Sequence, residues 1–178
     1  MKGHFGDAYY WQLIANIRRY KGVRAIETVK SRPIRIDGDF ADWAEVVPSF
    51  RDTPGDPVSR DFDLCGKAGR YVDHSGRNDI VEAKVSVDAE GVCFYVATAD
   101  KLIKGAPENW MCLFVDTDAD ASTGNWLGYE LTILPGKPAP EIQVSIGERE
   151  IELRVPFSFF KDGKKPDQFD FKWADHCL

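Results

Sequence analysis

No stretch of this sequence stays apolar for long enough to cross a bilayer. The longest, residues 92–99, falls far short of the roughly 20 residues a transmembrane helix needs. Histidine is scarce: His4, His74 and His176 are the only three, scattered over a helix end, a long loop and the last residues. They form no cluster of the kind that metal or triad chemistry requires. None of the four cysteines, Cys65, Cys93, Cys112 and Cys177, belongs to a C-x-x-C pair, which argues against a zinc ribbon or a thioredoxin-like motif. Positive charge is outnumbered, 23 Lys and Arg against 29 Asp and Glu, for a formal net charge of -6. Such a surface repels phosphate backbones, so nucleic acid and anionic membrane are excluded as partners, whereas neutral polymers remain compatible. There is no G-x-S-x-G, H-E-x-x-H or P-loop, and nothing places two carboxylates across a cleft. The chain by itself is therefore expected not to be an enzyme.

What is present fits one soluble domain with a short appendage: 178 residues, 43% hydrophobic and 29% charged. The first two dozen residues read as a helix. Tyr10, Leu13, Ile14, Ile17 and Val23 fall near helical spacing, with Asp7 as N-cap, Gly22 as stop and Arg18, Arg19 and Lys21 complementing the dipole in the last turn. Its aromatic load (Phe5, Tyr9, Tyr10, Trp11, Tyr20) calls for a large packing partner. The opening Met-Lys-Gly-His is not followed by the apolar core of a signal peptide, and the reading favoured is a piece cut from a longer protein.

After residue 30 the pattern changes. Asp37-Gly38 marks a tight turn, and Arg51 to Asp79 is a long polar stretch read as a functional or mobile loop. Val81, Ala83, Val85 and Val87 then alternate with Glu82, Lys84 and Ser86, as in a strand with one buried face. Residues 92–99 are apolar on both faces, as in a central strand. Further strands are expected at 111–115, 127–134, 141–146, 149–155 and 169–173, with Gly147 in a hairpin turn and Pro156 to Phe160 as a short turn or helix. Cys93 and Cys112 lie inside strands and read as buried free thiols. The class is all-β, an antiparallel β-sandwich with immunoglobulin-like or jelly-roll-like layers, preceded by one N-terminal α-helix. The expected division is 1–30, helix and linker from a preceding domain, and 31–178, the sandwich.

The order of motifs resembles the family 9 carbohydrate-binding modules and their relatives. The resemblance runs through Ile36-Asp-Gly-Asp-Phe-Ala-Asp-Trp43, Asn78-Asp-Ile80, Val87-Asp-Ala-Glu-Gly-Val-Cys-Phe-Tyr95, Phe114-Val-Asp-Thr-Asp-Ala-Asp-Ala-Ser-Thr-Gly124 and Ile151-Glu-Leu-Arg-Val-Pro156, over roughly residues 33–175. The segment Gly6 to Gly22 looks like the last helix of a catalytic domain in multidomain glycoside hydrolases of gut bacteria. The resemblance implies a secreted, periplasmic or cell-surface protein. In it this chain would bind a carbohydrate polymer or oligosaccharide beside a preceding catalytic domain in the same polypeptide. It also implies one or two further strands after Phe171 to Asp175, so that the chain stops with an open sheet edge.

In that family two aromatic rings hold a sugar, and the candidates here are Trp110 before a strand, Trp126 after a loop and Tyr71 in the long loop. Arg77 and Asp79 are candidates to hydrogen-bond sugar hydroxyls. Each of these residues has a packing alternative: core or loop for the tryptophans, pinning of the long loop for Arg77 and Asp79. Trp43 and Trp173 read as core. Asp116, Asp118 and Asp120 form a D-x-D-x-D run in which three repelling carboxylates would be relieved by a hard cation such as calcium. It is not an EF-hand, because Ala121 stands where Gly belongs and Leu127 where Glu belongs. The alternative is a polar turn capped by Gly124. A haem-binding sandwich is disfavoured because Met111, the only internal methionine, falls in a core strand.

Overall fold

The computed structural model describes residues 8–21, 28–55, 59–63, 69–105, 110–125 and 128–175. After one helix, α1 (Ala8–Lys21), the described elements are strands and short 3-10 turns. Asp7 and Gly22, the expected stops of α1, lie outside the described residues. Within α1, Leu13 and Ile17 are about half exposed and Tyr20 is 92% exposed.

The strands are β1 (Ser49–Arg51), β2 (Arg60–Asp63), β3 (Arg70–Asp73), β4 (Ile80–Val87), β5 (Gly91–Thr98), β6 (Cys112–Asp116), β7 (Leu131–Ile133), β8 (Gln143–Ile146), β9 (Glu150–Pro156) and β10 (Asp170–Ala174). They form a five-stranded sheet in the order β1-β4-β5-β9-β8, a three-stranded sheet β10-β6-β7 and the hairpin β2-β3. All strand pairs are antiparallel. The all-β sandwich with one preceding helix is thus the observed architecture. One expectation about the stretch 51–79, that it is a loop throughout, changes. It holds a paired hairpin, β2-β3, in which Arg70 bridges Asp61 at 2.5 Å and Asp63 at 3.3 Å.

Period-two alternation explains the core. Val85 and Val87 from β4, Val92, Phe94 and Val96 from β5, and Ile151, Leu153 and Val155 from β9 point to one side of the large sheet. There they meet Leu113, Val115, Ile133 and Trp173 of the small sheet. Each such side chain, once buried, contributes roughly 1.5–3 kcal/mol of transfer free energy. As expected of a strand apolar on both faces, β5 is central and its other face is also buried. Cys93 and Tyr95 pack there with Ile34, Trp43 and Val46, Trp43 stacking on Tyr95 at 5.2 Å.

That second layer corrects the reading of β4. Lys84 and Ser86 are not on a solvent face but buried, because residues 31–48 run across the back of the large sheet. Lys84 Nζ donates to the Trp43 carbonyl (2.9 Å) and Ser86 Oγ to the Arg32 carbonyl (3.0 Å). The clamp on this covering segment is Glu152, fully buried on β9. Its carboxylate accepts from the backbone N–H of Asp37 (3.0 Å) and Gly38 (2.8 Å) and from the Trp43 indole (2.8 Å). Gly147 turns β8 into β9 as expected, with its N–H on the Glu150 carbonyl (2.8 Å); a Cβ there would meet the Phe40 ring at 2.5 Å.

Candidate functional site

At the end of β6 the chain leaves the sheet at Asp116, which is buried, and loops through Asp118 before returning at Glu130 into β7. Oxygen atoms of Asp116, Asp118 and Glu130 lie within 4.8 Å of one another. Two oxygens on opposite sides of a Ca2+ ion, each at roughly 2.4 Å, are about that far apart. This acidic triad can hold a metal ion. Asp120 is not part of it: its Oδ1 accepts from the Ser122 hydroxyl (2.6 Å) and N–H (3.0 Å). Glu130, which takes its place, is the only acidic residue between 121 and 140.

The loop is shaped around these carboxylates. The N–H groups of Asp118 and Asp120 approach Asp116 Oδ1 (3.3 Å each), while Thr117 N donates to Glu130 Oε2 (2.7 Å). The Thr123 hydroxyl stands 2.9 Å from Glu130 Oε1 and 3.1 Å from Asp118 Oδ1. Gly124 adopts φ +74°, and a Cβ there would sit 2.9 Å from Glu130 Oε1, so only glycine lets the glutamate reach the cluster. Burial, followed by repulsion from Glu130, raises the Asp116 carboxyl above its ordinary value. Lys161 Nζ lies 3.5 Å from Asp118 Oδ2 and offsets part of the charge.

The expected sugar contacts are dispersed. Trp110 is 4% exposed and sits in the core, its indole edge against Gly136, so it presents no open face. Trp126 lies outside the described residues. Tyr71 is half-buried on β3. Arg77 pairs with Asp175 (Nε to Oδ2, 2.9 Å) with both side chains largely buried, and Asp175 also accepts from Met111 N (3.1 Å). Asp79 is buried and accepts from Gly55 N (2.6 Å), while its Oδ1 has no partner among the described residues. Arg77 and Asp79 therefore pin the ends of the 51–79 stretch. Trp43 and Trp173 are core, as expected. Cys93 and Cys112 are buried free thiols. Burial, and then the Asp88 carboxylate, pushes the Cys93 thiol up to about 12. Met111 is fully buried.

One open concavity was not anticipated. The second sheet has fewer strands than the first, so among the described residues the inner face of β1 and the neighbouring part of β4 meet the edge of β10, the segment 165–169 before it, and Thr28 and Val29. A cleft of about 670 Å³ results. Phe50, Val85, Val87, Phe169 and Phe171 line it, and Lys165, Asp167, Gln168 and Asp170 form its polar lip. Phe50 stays 50% exposed although it faces Phe171 edge-on at 5.6 Å. The sequence signal for it is a phenylalanine at an inward position of a three-residue edge strand. No helix among the described residues is long and apolar enough to cross a membrane. No family model matches this chain, and no curated protein and no solved structure matches it either.

Proposed function

We propose that this chain is a non-catalytic carbohydrate-binding module, related to the family 9 modules that its motifs resemble, and that it binds sugar in the cleft between β1 and β10. The observation that carries the reading is the make-up of that cleft. Its volume of about 670 Å³ falls within the range of small-molecule sites, and its aromatic and aliphatic walls end in a lip of Lys165, Asp167, Gln168 and Asp170. A pyranose has the same division, an apolar C–H face and a rim of hydroxyls. Trp126, which lies between Asp118 and Glu130 in sequence, remains a second candidate contact. Calcium is the ion proposed for the triad of Asp116, Asp118 and Glu130, where it would fix the loop and take no part in bond breaking. In a secreted or cell-surface glycoside hydrolase such a module raises the local concentration of the catalytic domain on its polymer.

Affinity gels and a glycan array, run with and without calcium, test this on the wild type, Phe50→Ala and Trp126→Ala. Phe50→Ala is expected to weaken binding by about tenfold or more while leaving the circular dichroism spectrum unchanged. Absence of binding to every plant and host glycan overturns the reading. A second reading, a sandwich that packs on a catalytic domain without binding sugar, draws on two observations. The tryptophans with described side chains (Trp43, Trp110 and Trp173) are all buried, and α1 exposes Leu13, Ile17 and Tyr20.

A further inference from the structure

We draw no further inference here: the strongest candidate, the hollow beside Ile80, Ala83 and Trp173 that continues the cleft between β1 and β10 past Phe50, is an apolar face for which nothing in the structure shows what covers it.

Discussion

Removing the Glu152 carboxylate should unfasten the segment 31–48 from the back of the large sheet. The side chain is fully buried and receives three N–H donors, from Asp37, Gly38 and Trp43, at 2.8–3.0 Å. Glu152→Ala leaves all three without an acceptor; the buried Trp43 N–H left unpaired costs about 1–3 kcal/mol, while the Asp37 and Gly38 N–H groups, on exposed residues, regain water and add less. With the lost packing of the buried side chain the expected loss is about 3–5 kcal/mol, the range seen when one partner of a buried charged set is removed. Domains of this size are stable by about 5–15 kcal/mol, so the variant is predicted to be folded but strongly weakened. Glu152→Gln separates the contributions. Its amide oxygen can still accept from Asp37 and Gly38, but its NH2 group faces the Trp43 N–H, donor against donor, and the cost should fall to about 1–3 kcal/mol. If that is the cause, Trp43→Phe in the Glu152→Gln background recovers about 1 kcal/mol or more as a coupling energy. Urea unfolding followed by circular dichroism measures each value, with an unchanged m-value showing that the native state keeps its compactness. A Glu152→Ala loss below about 0.5 kcal/mol would refute the reasoning, because a carboxylate that clamps the covering segment cannot be so cheap to remove.

Calcium should raise the melting temperature at pH 7, and Glu130→Gln or Gly124→Ala should abolish that rise while Asp120→Asn leaves it nearly intact; differential scanning fluorimetry with and without EDTA reads all three. The pH dependence has a defined sign. The Asp116 carboxyl is raised in the folded state, so the penalty for ionising it is absent below the ordinary carboxylate value and fully present once pH exceeds the raised value. Without metal the protein should therefore lose this contribution to stability as pH climbs through that window. The calcium-induced shift should grow over the same window, and a shift that is larger at pH 4 than at pH 7 would contradict the site. Cys93, with its thiol pushed up to about 12 and no exposure, should resist alkylation at pH 8 in the native state and react only in urea, as peptide mapping by mass spectrometry would show.

Local pattern and distant geometry divide what could be read from the sequence. The alternation in β4, the doubly apolar β5 and the turn at Gly147 are properties of a few adjacent residues, and all three appear in the structure where the sequence puts them. The burial of Lys84 and Ser86 is different in kind: their covering residues, Trp43 and Arg32, lie 41 and 54 positions upstream, and no period within β4 encodes that cover. The same holds for the hairpin β2-β3, whose polar composition mimics a loop because two of its four cross-strand pairs, Arg60 with Asp73 and Asp63 with Arg70, are charged.

The candidate sites follow the same division. Asp116 and Asp118 are legible because they alternate in one loop, whereas Glu130 joins them only through the return of the chain into β7. Trp110 was a reasonable rim residue from its place before a strand, yet one strand-end residue earlier or later decides whether a ring enters the core, and here it enters. The cleft between β1 and β10 has the least local origin of all. It exists because five strands face three, and that inequality is a property of the whole chain's pairing. Its chemistry nevertheless comes from single residues: Phe50 at an inward position on an edge strand meets Phe171 edge-on, and half of its surface stays open. An exposed ring at an inward position is therefore the more informative signal here. The protein already covers the rings of Trp43, Trp110 and Trp173, and this one it leaves for something else to cover.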